Sequence, residues 1–138
     1  MGGGGAGGNV PERALNASRP TTLVVDDEPA VRGLTRRVLV REGHDVLEAA
    51  TGAEATAVAA AHPGVIDLLV TDLQLPDIDG RALASALRAG RPTMRVLVVS
   101  GYADGGADGG APLPEASFLA KPFTPTTLTA AVRQALGG

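Results

Sequence analysis

Four short segments of this chain combine residue types that can move a phosphoryl group. They are Asp26-Asp27-Glu28, Thr71-Asp72, Ser100-Gly101 and Lys121-Pro122. Together they carry three or more carboxylates, a hydroxyl and an ammonium. Mg²⁺ is a hard cation that keeps several waters and is held by one or two carboxylates plus phosphoryl oxygens. Acids at 26–28 together with Asp72 can supply such a site. A carboxylate can also act as the nucleophile, giving an aspartyl phosphate. The oxygens of the transferred group then need their charge neutralised, which a metal, Lys121 and the Ser100 hydroxyl would do. The segments hold no strong general base, and an ionised Asp needs none.

Taken alone, each residue has an ordinary explanation. Asp27 or Glu28 could cap a helix starting near Pro29, a residue suited to a first helical position. Asp72 could be a turn residue before Leu75-Pro76, Ser100 the start of a loop, and Lys121 a solvated charge. The elements that precede them argue against coincidence. Apolar runs at Leu23-Val24-Val25, 65–70, 96–99 and 117–120 each end at one of the four segments, and Val46-Leu47 is a further short strand. Helical patterns lie between them: Val31, Leu34, Val38 and Leu39 on one face, ending at Gly43; an alanine-rich stretch at 52–61; and Leu83 with Leu87 after Gly80. Leu128, Val132 and Leu136 repeat in a last helix. Unbroken apolar strands alternating with helices predict an α/β fold, a doubly wound parallel sheet of five strands. In such sheets ligands bind beyond the carboxyl ends of the strands, which is where all four segments fall.

Composition narrows the alternatives. The chain has 138 residues, a net charge of −3 and no cysteine, which excludes disulfide scaffolds, thiolate metal sites and a cysteine nucleophile, and suits a reducing cytoplasm. Its mild acidity argues against direct nucleic-acid binding. No apolar run approaches the ~18 residues of a membrane span. Aromatic residues make up 2%, so the core must be aliphatic, and much of the 19 Gly must lie outside it. Residues 1–20 read as a disordered, Gly-rich tail or linker, and 21–138 as one domain. Gly2, Gly4 and Gly7 fit a dinucleotide-loop spacing, but no strand precedes them. Between Tyr102 and Ala116, where a fourth crossover helix belongs, stand Gly105, Gly106, Gly109, Gly110, Pro112 and Pro114. Breakers cost a helix roughly 1 kcal/mol per Gly and 3 per Pro, so this crossover helix is predicted to be absent or reduced to a turn.

The segments resemble those of a bacterial response-regulator receiver domain. The resemblance rests on Leu23-Val24-Val25-Asp26-Asp27-Glu28, Thr71-Asp72-Leu73-Gln74-Leu75-Pro76 with Gly80, Val98-Val99-Ser100-Gly101-Tyr102, and Phe118-Leu119-Ala120-Lys121-Pro122-Phe123. It implies a CheY-like strand order of 2-1-3-4-5. It implies that Asp72 accepts a phosphoryl group from the phosphohistidine of a histidine kinase or histidine phosphotransfer protein, and that the signal passes to a downstream protein partner. Asp27, Asp72 and the Gln74 backbone carbonyl would ligate Mg²⁺, with Asp26 acting mainly through water. Ser100 would take a phosphate oxygen on activation, and Lys121, turned inward by a cis peptide before Pro122, would pair with the phosphoryl group. Phe118 matches the family's switch aromatic, beside the competing reading of a core strand residue, and Tyr102 shares that ambiguity. Such a domain is no enzyme beyond its own phosphorylation and dephosphorylation. Ser100-Gly101-Tyr102-Ala103 and the irregular crossover resemble receivers attached to hybrid sensor kinases. With no output domain after the last helix, the expected forms are a stand-alone receiver or one from a larger chain.

Two other classes use similar parts. Haloacid-dehalogenase-type phosphatases have a second Asp two residues after the nucleophile, where this chain has Gln74, and place their acid pair later in the sequence. A serine hydrolase would need Gly where Val98 stands, and His44 and His62 form no triad pattern. A receiver that no longer takes phosphate and acts as a docking module is a further alternative, although every required residue type is present.

Overall fold

The computed structural model describes residues 19–101 and 116–137. In chain order the elements are β1 (Thr21–Val25), α1 (Pro29–Arg41), β2 (Asp45–Ala49), α2 (Gly52–Ala61), β3 (Leu68–Asp72), α3 (Gly80–Gly90), β4 (Arg95–Ser100), β5 (Ala116–Ala120) and α4 (Pro125–Ala135). The five strands form one parallel sheet in the order β2-β1-β3-β4-β5. The predicted doubly wound sheet and its order are therefore observed. The predicted loss of the β4–β5 crossover helix, residues 1–18 of the N-terminal tail and Tyr102 lie outside the described residues.

Strand residues alternate between two aliphatic cores. Leu23, Val25, Leu69, Val96 and Val98 pack with Ala55, Ala59, Leu83 and Leu87, the side of α2 and α3. Val24, Leu68, Val70, Leu97 and Val99 pack with Val38, Leu39, Leu128 and Val132, the side of α1 and α4. Both faces of each central strand are covered, which is why these strands read as unbroken apolar runs. At roughly 1.5–3 kcal/mol per buried aliphatic side chain, such layers hold the sheet without Trp.

Local signals set most boundaries. Pro29 opens α1. Gly43, at φ +92°, closes it in a Schellman motif, with His44 N–H donating to Leu39 and Gly43 N–H to Val40. Thr51 caps α2, Asp79 caps α3, and Thr124 with Thr127 forms a reciprocal capping pair on α4. Two expectations need correction. Glu28 sits at the N-cap of α1 but its side chain caps nothing; its amide donates instead to Asp26 Oδ1 at 2.9 Å. The third strand runs over Leu68–Asp72 rather than 65–70. Asp67 takes the Thr21 amide on its side chain at 2.8 Å and donates its own N–H to the Thr21 carbonyl, while Val65 is exposed and Asp72 still pairs with Val99.

On α1, Arg32 and Arg36 both pair with Glu48 of β2, at 3.5 and 3.2 Å.

His44 is buried and its Nδ1 lies 2.7 Å from Thr22 Oγ1. Burial lowers its pKa from 6.5, outweighing the nearby charges of Glu42, Asp67 and Asp45. The unfolded chain then binds this proton more readily than the fold does. Stability from the neutral ring is complete above pH 6.5 and is lost as pH falls through that value, at up to ~1.4 kcal/mol per pH unit. Urea midpoints compared at about pH 7.5 and about pH 5.5 should fall further for wild type than for His44→Gln. Equal slopes would refute the assignment.

Candidate functional site

The β1–β3 register sets the site. Thr22 stands opposite Leu68 and Val24 opposite Val70, so Asp26 and Asp72 leave their strands side by side. Both lie at the boundary between β1 and β3, where the chain's winding direction reverses and a crevice opens. Carboxylate oxygens of Asp26, Asp27 and Asp72 lie within 4.8 Å of one another. Asp26 and Asp72 are buried, whereas Asp27 is exposed.

One ammonium holds this cluster. Lys121 Nζ is 3.1 Å from Asp72 Oδ2, 3.4 Å from Asp26 Oδ2 and 3.7 Å from Glu28 Oε1. Its backbone N–H donates to the Ser100 carbonyl at 2.7 Å, and the Lys121–Pro122 peptide is cis. Burial works against the Lys121 charge. The hydrogen bond to Asp72 and the charges of Asp26 and Asp72 outweigh it and raise its pKa above 10.5. Burial also pushes the Asp26 carboxyl above its ordinary value, in spite of the Glu28 amide and the Lys121 ammonium, and the Asp72 charge adds to the rise.

Backbone contacts fix the acids. The Gln74 amide donates to Asp72 Oδ1 at 3.2 Å. Arg32, one turn into α1, donates from Nη1 to the Asp26 carbonyl at 2.7 Å. Gly80 N–H donates to the Leu73 carbonyl at 2.7 Å, and a Cβ on Gly80 would collide with the Asp72 carbonyl. This close approach is what requires glycine there.

The structure thus brings together Asp26, Asp27, Asp72, the Gln74 backbone and Lys121. Ser100 is buried at the end of β4, one residue beyond the Val99 that pairs with Asp72. Phe118 is 40% exposed, so it is not a core residue of β5. Sequence reasoning missed the part played by Arg32. Arg32 sits six residues after Asp26, a spacing that lets a first-turn side chain reach back to the strand end.

A family model described as the response regulator receiver domain matches residues 22–133. The chain belongs to this family. The receiver is 37% identical over 127 residues to the sensor kinase CckA of Brucella abortus, covering 91% of this chain and 13% of the kinase. It is 38% identical over 132 residues to the transcriptional regulatory protein TcrA of Mycobacterium tuberculosis, covering 91% of this chain and 50% of that protein. The chain therefore spans half or less of these two relatives. Among solved structures, the receiver domain of the hybrid histidine kinase CckA aligns with TM-score 0.70 and 40% identity, covering 84% of this chain and 98% of that one. A response regulator receiver protein from Sinorhizobium medicae aligns with TM-score 0.76 and 31% identity, covering 88% and 98%. Among the described residues, no helix is long and apolar enough to cross a membrane.

The donor set fits Mg²⁺. Its bonds of ~2.1 Å bring ligand oxygens within about 4.2 Å of one another, and three carboxylate oxygens already lie inside 4.8 Å. Saturating Mg²⁺, at about one hundred times its dissociation constant, adds ~2.7 kcal/mol and should raise the thermal midpoint by several degrees. In Asp27→Asn the rise should be largely lost, with the metal-free midpoint unchanged or higher because one like charge is gone. An undiminished rise in that variant would exclude Asp27 from the site.

Proposed function

We propose that this receiver is a phosphoacceptor in two-component or phosphorelay signalling, and that Asp72 is the residue phosphorylated. The observation that carries the reading is the 3.1 Å contact of Lys121 with Asp72 inside the three-acid cluster. In the reaction, an Asp72 oxygen forms a bond to phosphorus as the N–P bond of a phosphohistidine breaks. The donor imidazole leaves with the electron pair and takes up a proton.

Each neighbour has a stated part. Asp27, Asp72 and the Gln74 carbonyl would hold Mg²⁺, and Asp26 would act through water. When bound, the cation neutralises charge on the phosphoryl oxygens and screens the acids from one another. Lys121 supplies the protein's own positive charge to the same oxygens. The Ser100 hydroxyl takes a phosphoryl oxygen once Asp72 is modified. Phe118, already partly outside the core, and Tyr102 report that change to the surface.

The donor is a histidine kinase or a histidine phosphotransfer protein, and output passes to a downstream protein. A groove of about 360 Å³, lined by Val31, Leu34, Lys121, Pro122 and Phe123, shares Lys121 with the acceptor site. It offers a protein donor apolar surface at the rim of the acceptor. The likeness to CckA supports an origin in, or a relay with, a hybrid kinase. The domain spans 21–138, acts in the cytoplasm, and has no enzymatic activity beyond its own phosphorylation and dephosphorylation. A haloacid-dehalogenase-type phosphatase is disfavoured by Gln74, which cannot give up and recover a proton, and by the family match.

Intact-mass spectrometry after incubation with acetyl phosphate and Mg²⁺ tests the reading. Wild type should gain one phosphoryl group and Asp72→Asn none. No gain by wild type would overturn it and favour a phosphate-independent docking module, and equal gain by the variant would overturn the assignment of Asp72 as acceptor. Gln74 stands two residues from Asp72, beside the path of an attacking water. Gln74→Asp should change the rate of phosphoryl loss, and an unchanged rate would remove that role.

A further inference from the structure

The loop after β3 is tied to the amino end of α2. Asp77 Oδ1 accepts from the Gly52 amide and Oδ2 from the Ala53 amide, both at 2.9 Å, while Thr51 Oγ1 accepts from Glu54 N–H at 3.0 Å. Asp77 and Thr51 together thus satisfy the first three amides of α2. The two backbone bonds lower the Asp77 pKa, so the clamp is ionised at neutral pH. Ile78 adds a steric stop, since a Cβ on Gly52 would collide with its Cγ2.

The clamp closes a ring around the acceptor site. Asp26 N–H donates to the Ala49 carbonyl at 3.1 Å, and Ala49 leads through Thr51 into α2. From α2 the Asp77 bonds return to the β3–α3 loop. That loop is cinched by the bridge between Gln74 and Asp79, and Gln74 N–H holds Asp72. Acids from β1 and β3 are therefore held in register through the β2–α2 turn, independently of Lys121 or any cation. The opposite end of α2 has its own tie: Arg91 donates to the Ala59, His62 and Gly64 carbonyls at 2.8–3.0 Å.

We propose that Asp77 is a positioning residue for the acceptor site, setting its Mg²⁺ affinity by fixing the Gln74 backbone and Asp72 relative to Asp26 and Asp27. The proposal rests on the metal-site reading above. Removing a residue that orients ligands typically weakens metal binding by about 10- to 100-fold.

The test is calorimetric titration of the full chain with Mg²⁺ alone, beside thermal midpoints and the acetyl phosphate reaction. Asp77→Ala should weaken Mg²⁺ binding about 10-fold and slow phosphoryl gain. Asp77→Asn, which keeps a carbonyl acceptor for one amide, should recover most of the affinity. Arg91→Met removes the tie at the far end of α2, so it should lower the midpoint while leaving Mg²⁺ affinity near wild type. Affinity in Asp77→Ala within about 2-fold of wild type, or an equal loss in Arg91→Met, would overturn the proposal in favour of a purely structural cap. Should Asp77→Ala not fold, Asp77→Glu carries the test, since it keeps the charge but displaces the loop by a methylene. Weaker Mg²⁺ binding supports the proposal there, and unchanged binding overturns it. Mg²⁺ binding is read without phosphorylation. A wild type that binds Mg²⁺ but gains no phosphoryl group defeats the phosphoacceptor reading and leaves this test standing, whereas a wild type that binds none overturns both.

Discussion

Three carboxylates held within 4.8 Å of one another repel, and two of them are buried. Everything around the sheet's carboxyl edge answers that constraint. In bulk water two such charges at 4 Å cost about 1 kcal/mol, and near a protein surface about 4. The side-by-side register of β1 and β3 imposes the approach of Asp26 and Asp72, and the aliphatic layers on both faces hold that register. Lys121 offsets the repulsion from one side. The amides of Glu28 and Gln74 do so from another, at 2.9 and 3.2 Å. The raised Asp26 pKa is the residue of repulsion and burial that these partners leave uncompensated.

The helices differ in how they are attached, and the difference follows from side-chain size. α1 and α4 bury Leu39, Leu128 and Val132, each worth roughly 1.5–3 kcal/mol. α2 buries only Gly52, Ala55 and Ala59, and a methyl brings about 0.8 kcal/mol. Hydrophobic burial alone therefore anchors α2 weakly. Its charged ties, Asp77 at the amino end and Arg91 at the carbonyl end, match the sign of the helix dipole at each end. A helix of small residues held at its ends keeps close to the sheet and leaves room for the β3–α3 loop to lie against it.

Most of the architecture could be read from residue types because each signal was local. Apolar runs, Pro29, Gly43, Thr51 and the acids at strand ends carry their own physical consequence. What could not be read depends on contacts distant in sequence. Val65 looks like a strand residue, yet Asp67, two residues on, is the one bonded to Thr21, and the paired strand starts at Leu68. Glu28 looks like a cap, yet its carboxylate caps nothing and lies 3.7 Å from the ammonium of Lys121, far along the chain. Phe118 looks like core, yet β5 is an edge strand that buries less than β4. Asp77, within Leu75-Pro76-Asp77-Ile78, reads as an ordinary turn acid until α2, 24 residues earlier, is placed beside it.

Lys121 divides its charge among Asp72, Asp26 and Glu28, at 3.1, 3.4 and 3.7 Å, rather than committing it to one partner. A shared counter-charge can be redistributed at little cost, whereas a dedicated bidentate pair would have to be broken. On the receiver reading, phosphorylation replaces the single carboxylate charge of Asp72 by the roughly −1.5 to −2 of a phosphoryl group, and Lys121 is the adjacent ammonium that can turn toward it. Its main chain bonds the Ser100 carbonyl, so β5 cannot follow that turn without pulling on the end of β4. On that reading a charge change at Asp72 would be joined mechanically to the edge of the sheet that carries Phe118. That coupling needs no long path, because one residue supplies both the ammonium and the backbone bond.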